Sequence, residues 1–481
     1  MDLLEDPCVH LMRGREATQI LRSANDYPYA KSDVTMRRMD RRHFLQTLAS
    51  TAAVAVVPLR AQPPVPRIDA ARLRGQIEAL SVFGRPDGGT FADGVSRVAY
   101  SDADVAGRQY VMGLMREVGL APRVDPAGNI FAVRAGQDAS ARPILFGSHI
   151  DSVPQGGNFD GDLGSLAAIE SVRALSAANL VTRHPLEVVV WAHEEGGTFP
   201  NGLNGSRAVA AQLLNGEMDQ VYKGLRKADG IRRIGGEPGR IGEARRAPGS
   251  IQAYLELHIE QGGTLDQRGI QIGVVEGIVS IARYQATITG FANHAGTTRM
   301  GDRQDALVAA SQLVLAVREE VTRVPGHQVG TVGRLDVTPN AANVIPGQAI
   351  LIIELRDLSE AKLTSIADAI RARAGAIAGA TRTTIEIVAT GRYGPALATP
   401  AVQIAIERAA DGLGLSHVRL PSGAGHDAQM AATLGPMGMI FVPSIGGISH
   451  SPKERTTWED CARGADVLLR AVLEVDRAVL S

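Results

Sequence analysis

The chain has 481 residues, enough for two domains with cores of ordinary size, and its 44% hydrophobic and 21% charged residues describe a globular body. A formal net charge of −1 gives no electrostatic reason to bind nucleic acid or an anionic membrane, and 4% aromatic residues leave little for base stacking.

In chain order, the first recognisable segment is Arg41-Arg42-His43-Phe44-Leu45-Gln46, a twin-arginine pattern preceded by Arg37 and Arg38. The small apolar run Thr47 to Val57 follows, and then Pro58-Leu59-Arg60-Ala61, with a cleavage point expected after Ala61. The run is too short to cross a bilayer as a permanent helix. Residues 1–61 therefore read as a leader, with Met36 or Met39 the expected start. The mature chain is expected in the periplasm or otherwise exported by the twin-arginine route, without stable membrane insertion. Cys8 leaves with the leader, so Cys461 remains without an internal disulfide partner.

From about Ile68 helical and strand patterns alternate, which is the signature of an α/β domain with a mainly parallel sheet. The apolar runs 143–148, 186–192, 253–259 and 437–442 suit strands buried on both faces. Helix periodicity covers 163–180, whereas 229–250, rich in Gly, Arg and Pro, reads as a long loop. The pattern changes at 282–289, where apolar and polar residues alternate as in a strand with one wet face. A helix at 305–321, strands at 328–337 and 349–355, a helix at 363–377 and a strand at 384–389 follow. This β-α-β-β-α-β order is that of a ferredoxin-like unit. The expected organisation is a first part of the large domain over 68–278, an inserted α+β domain over 279–394, and the remainder over 395–481.

Chemistry collects where apolar strands end, the region in which open α/β sheets build their sites. His149 closes the first buried strand, Asp151 lies two residues on, and Asp160 precedes the next helix. Glu194-Glu195 closes another strand, His258 lies near the end of a third, and His450 follows the last. Each alone is more often a hydrogen-bonded histidine or a solvated acidic turn than a ligand. Their common placement points instead to imidazole and carboxylate ligands around metal, with a spare carboxylate as general base. Asp151 is expected to orient the His149 ring.

The strings GSHIDSVPQGGNFDGDLG (147–164), HEEGGTFP (193–200), ELHIEQGGTLD (256–266), GFANHAGTTRMGDRQDAL (290–307), PNAANVIPG (339–347), SGAGHDA (422–428) and GGISHSP (446–452) resemble, in order, the motifs of the N-carbamoyl-L-amino-acid amidohydrolase family. That family includes allantoate amidohydrolases and β-ureidopropionases and is related to dimetal aminoacylases and carboxypeptidases. The resemblance implies a dimetal aminopeptidase-like catalytic domain with an inserted ferredoxin-like lid, assembled as a homodimer. It implies two divalent ions per chain, Zn or Mn, Co or Ni, with Asp160 bridging, His149 and His258 on one ion, and Glu195 and His450 on the other. Glu194 is the implied general base and Asp151 the partner of His149. Gln261, Asn343, Arg356, Gly425 and His426 match substrate binders. His294 matches a histidine aimed at the scissile carbonyl, often from the partner subunit. The implied reaction is hydrolysis of the ureido group of an N-carbamoyl amino acid or related acid, releasing ammonia and carbon dioxide. N-acyl-amino-acid deacylation or peptide hydrolysis is the nearest rival, and an exported binding protein the rival of another class. Three positions depart from the family pattern: Asp162, Gly197-Thr198 and Arg299.

Overall fold

Fifteen strands, in chain order, frame the computed structural model, which describes residues 65–199 and 201–478. The leader segment expected at 1–61 lies outside the described residues. The strands are β1 (Arg123–Val124), β2 (Ile130–Arg134), β3 (Ile144–His149), β4 (Leu186–Trp191), β5 (Val221–Tyr222), β6 (Leu225–Arg226), β7 (Ala253–Ile259), β8 (Ile272–Ile278), β9 (Ser280–Thr289), β10 (Val329–Thr338), β11 (Gln348–Asp357), β12 (Thr384–Tyr393), β13 (Ala396–Leu397), β14 (His417–Ser422) and β15 (Met437–Val442).

The large sheet runs β1-β2-β4-β3-β7-β15-β8-β13, with β14 also pairing with β8. Its inner strands β4, β3, β7 and β15 are mutually parallel, and antiparallel pairs lie toward the flanks. Every residue of β3, β4, β7 and β15 is buried; β15 is apolar throughout, β3 and β4 nearly so, and only β7 alternates, with Tyr254, Glu256 and His258 on one face. The helix Asp162–Ala177 packs closely on this sheet because its inner face is built from small residues. A Cβ on Gly164 would lie 2.1 Å from the Leu257 carbonyl oxygen, so only glycine permits the approach. The amphipathic helix Trp458–Arg477 covers the same core, contributing Leu468, Leu469, Val472 and Val475. Each such side chain stabilises the fold by roughly 1.5–3 kcal/mol through burial.

The expected long loop at 229–250 is instead largely helical. Lys227–Arg233 is an α-helix and Pro238–Ala244 a 3₁₀ segment. Burial of Ile231 and Ile234 against Tyr100 and Phe199 outweighs the poor helix propensity of its glycines.

A second sheet, β10-β11-β9-β12, is wholly antiparallel and carries the helices Ala306–Thr322 and Glu360–Thr381 against one face. In order of appearance its strands stand 2-3-1-4, the ferredoxin-like arrangement. It leaves the large sheet after β8 and returns at β13, and the two crossings meet where Ser280 Oγ donates to the Tyr393 carbonyl at 2.7 Å. Among the described residues no helix is long and apolar enough to cross a membrane.

Candidate metal and catalytic site

The parallel order β4-β3-β7-β15 places four carboxyl ends in one row. His149 ends β3, Glu194 and Glu195 lie in the turn after β4, His258 is the penultimate residue of β7, and His450 follows β15. A cavity of about 260 Å³ opens at this row. Its lining includes His149, Asp160, Glu194, Glu195, His258, Gln261, Arg356, Gly425, His426 and His450. Three nearby residues adopt left-handed backbone: His193 at φ 52°, Gln261 at 59° and His450 at 53°. Such conformations cost about 1–3 kcal/mol each and persist where surrounding structure dictates them.

His149 Nε2 and His258 Nε2 lie 3.4 and 3.1 Å from Asp160 Oδ1. On the other carboxylate oxygen, His450 Nε2 is 3.5 Å from Asp160 Oδ2 and 3.4 Å from Glu195 Oε1. Two donor groups result, His149–Asp160–His258 and Asp160–Glu195–His450, each with donor atoms within 4.8 Å of one another and sharing Asp160. The far side of two rings is already engaged. His149 Nδ1 meets the Asp151 carbonyl and His258 Nδ1 the Ile259 carbonyl, both at 2.9 Å. A carbonyl only accepts, so each Nδ1 carries a proton and a neutral ring turns its Nε2 lone pair toward Asp160. Lone pairs facing a carboxylate require a positive charge between them, and mixed imidazole and carboxylate donors suit Zn, Mn, Co or Ni. The residues present therefore fit a divalent cation.

The electrostatics point the same way. Burial would lower His149, yet Glu194, Asp160 and Asp151 raise it well above its ordinary value. Burial opposes His258 too, and Asp160 raises it. The hydrogen bond to Asp160 lifts His450 to about 9. Burial and the Asp160 charge push Glu195 up to about 8, and burial, with Glu195 adding to it, raises Glu194 well above the usual carboxylate range. Asp160, although buried, is held well below the usual carboxylate range by the three histidines. A cluster that retains protons this tightly is one in which a cation would displace them.

The Asp151 carboxylate does not orient His149 as the sequence suggested; the Asp151 backbone carbonyl does. Its side chain points to the next strand end, where Oδ1 accepts from the Glu194 N–H and Oδ2 from the Glu195 N–H, each at 3.1 Å. Asp151 thus fixes the turn carrying the paired glutamates. Glu194 lies on the His149 side of that turn, its Oε2 3.9 Å from His149 Nε2.

On the opposite wall Gln261 Nε2 donates to Asp160 Oδ2 at 2.6 Å. Arg356, from β11, is gripped by Glu354 Oε1 at 2.7 Å and donates from Nη1 to the Gly423 carbonyl at 2.6 Å, which brings the inserted domain to the cavity. His426 is buried, 2.9 Å from Ser422 Oγ, and burial together with the nearby His258 holds it neutral. His294 and Asn343 are not brought to the cavity: both are exposed on the inserted domain, where the Ala295 N–H donates to the Asn343 carbonyl at 3.0 Å. His294 Nδ1 accepts from the Gly296 and Thr297 N–H groups at 3.0 and 3.2 Å, which leaves Nε2–H free to donate.

Beneath the donors lies a layer that sequence reasoning missed. Glu256 accepts from Ser148 Oγ at 2.6 Å, Tyr254 Oη at 3.0 Å and the Ala428 N–H at 3.2 Å. Alternation along Ala253–Ile259 was the available signal, since Tyr254, Glu256 and His258 share one face of an otherwise apolar strand. Two of the departures also find partners. Asp162 forms a fully buried ion pair with Arg97, which also donates from Nε to the Ile150 carbonyl at 2.6 Å. Thr198 Oγ1 lies 3.2 Å from His193 Nε2. Arg299 has no structural explanation. Glu454, four residues after His450, accepts the N–H groups of Phe159 and Asp160.

Residues 145–474 match the profile of peptidase family M20/M25/M40. An N-carbamoyl-L-amino acid amidohydrolase of Geobacillus stearothermophilus is 39% identical over 409 residues, 85% of this chain and 99% of that protein. A ureidoglycolate hydrolase of Arabidopsis thaliana is 36% identical over 413 residues, 83% of this chain and 85% of that protein. The crystal structure of a hydantoinase/carbamoylase family amidase from Burkholderia multivorans superposes with a TM-score of 0.78 at 35% identity, covering 87% of this chain and 100% of that one.

Proposed function

This chain belongs to peptidase family M20/M25/M40, in its N-carbamoyl-L-amino-acid amidohydrolase branch, and from that premise we propose that it hydrolyses the ureido C–N bond of an N-carbamoyl amino acid or related ureido acid such as allantoate. The observation that carries the reading is one carboxylate, Asp160, shared by two donor groups, with Glu194 beside them and Arg356 across the same cavity. Two divalent ions per chain are proposed, one held by His149, Asp160 and His258 and the other by Asp160, Glu195 and His450. Bound there, such ions supply Lewis acidity toward the carbonyl oxygen and acidify a water molecule.

The chain's own groups do the rest. Glu194 takes the proton of the attacking water and returns it to the leaving nitrogen, a role that its place beside both donor groups suits. Arg356 offers guanidinium N–H donors to a substrate carboxylate, and Gln261, Gly425 and His426 line the space between that anion and the ureido carbon. His294 donates from Nε2 to the developing oxyanion. Because it stands away from the cavity, it is supplied by a second copy of the chain in a homodimer or by closure of the inserted domain. Ammonia, carbon dioxide and the amino acid are the products. Glu194 also separates an enzyme from an inactive binding protein, since holding a ligand needs no general base.

The test uses metal-reconstituted protein and reads ammonia released from N-carbamoyl amino acids, allantoate and ureidoglycolate, and free amino acid released from N-acetyl amino acids and dipeptides. Turnover confined to the N-acetyl compounds or dipeptides would replace this reading with its deacylase or peptidase rival.

A further inference from the structure

Glu454 is buried behind the donor cluster, outside the cavity, and ties together two segments that the chain brings from far apart. Its Oε1 accepts the N–H groups of Phe159 and Asp160 at 3.0 and 3.1 Å. Its Oε2 lies 2.7 Å from Ser449 Oγ, which is itself 3.1 Å from Asp160 Oδ2. One carboxylate therefore reaches the main chain of Asp160 directly and shares with its side chain a single hydroxyl donor, Ser449, from the loop that carries His450. The space is cut to fit it: a Cβ on Gly157 would lie 2.1 Å from Glu454 Oε1 and 2.2 Å from its carboxyl carbon.

We propose that Glu454, acting through Ser449, is a positioning residue that sets the spacing between Asp160 and His450 and so forms the Asp160–Glu195–His450 group. This rests on the reading of Asp160 as a ligand shared by two ions. Glu454 does not line the cavity, so it is not a catalytic group. The His149–Asp160–His258 group is held differently, by the Asp151 and Ile259 carbonyls on its two rings. The two donor groups should therefore respond differently to loss of Glu454.

The experiment is stepwise titration of the full chain with Zn²⁺ or Co²⁺, read by calorimetry and the visible spectrum of the cobalt form. Partners that orient a ligand are worth about 10–100-fold in metal affinity. Glu454→Ala is expected to weaken the ion of the Asp160–Glu195–His450 group by that factor and the ion of the His149–Asp160–His258 group distinctly less, because the latter's two rings keep their own carbonyl partners. Glu454→Gln keeps an oxygen for both N–H groups and is expected to recover most of the loss. Gly157→Ala, which displaces the carboxylate while leaving it in the chain, is expected to reproduce the selective loss if Glu454→Ala does not fold. Wild-type affinity for both ions in Glu454→Ala or Gly157→Ala overturns the inference, as does equal weakening of both. A wild-type protein that binds a single ion removes the shared-ligand reading instead, which distinguishes the two failures.

Discussion

Replacing Asp151 by asparagine separates two accounts of this residue. The wild-type carboxylate accepts the N–H groups of both Glu194 and Glu195 at 3.1 Å, and its side chain is almost wholly buried. Asparagine keeps one acceptor oxygen and sets an NH₂ against the other N–H, so one buried donor loses its partner. That costs about 1–3 kcal/mol. If the turn shifts to relieve it, the glutamates move, and the same energy appears as about a 5- to 150-fold fall in kcat at 1.36 kcal/mol per decade. The backbone carbonyl of residue 151 survives the change, so the aim of His149 is kept. Ammonia release should fall by that factor, metal content should drop toward one ion per chain, and ¹⁵N-histidine spectra should show His149 and His258 still coordinated. Loss of the ion from His149 and His258 with the other retained would refute the argument and restore the carboxylate–imidazole pair. Wild-type kcat would refute both accounts.

Glu194→Gln should keep both ions and lower kcat by about 10² or more, whereas Glu195→Ala should lose an ion; metal analysis beside kinetics decides the assignment. Arg356→Lys should raise KM and lower kcat at unchanged metal content, because an ammonium cannot span both the Gly423 carbonyl and a substrate carboxylate; a carboxamide analogue should be poor for the wild type and less discriminated by the variant. In metal-free protein Glu195 is raised from 4.5 to about 8 and His450 from 6.5 to about 9, so the folded chain binds these protons more tightly than the unfolded one. That stability is present at low pH and lost as pH rises through about 8 and 9, so the Tm gained on adding metal should be larger at about pH 8.5 than at pH 6, and an equal gain would count against a proton-for-metal exchange. Replacing Arg41 and Arg42 by lysine should leave uncut precursor in the cytoplasm, and normal periplasmic accumulation would show the leader to be misread.

Local pattern was enough to locate most of the site. Strands β3, β4 and β15 are largely apolar runs because both faces are covered, and a run of that kind announces itself without partners, whereas β7 interrupts its own with Glu256 and His258. Since parallel sheets gather their strand ends on one side, His149, Glu195, His258 and His450 could be grouped from where the runs stop. The inserted domain was legible too, because its strands keep one wet face and its helices one buried face. Directions and distant meetings were not. Nothing in His149-Ile150-Asp151 says whether the carboxylate or the carbonyl of Asp151 faces the ring; the packing of β3 beside β4 brings two N–H groups to the carboxylate and settles it. The motif around His294 names a histidine but not its distance from a cavity built by another domain. Arg97–Asp162 and Glu454–Asp160 are contacts across 65 and 294 residues of chain. Such pairs exist only once the sheet has ordered its strands, because a buried charge takes whatever partner the completed core leaves within reach.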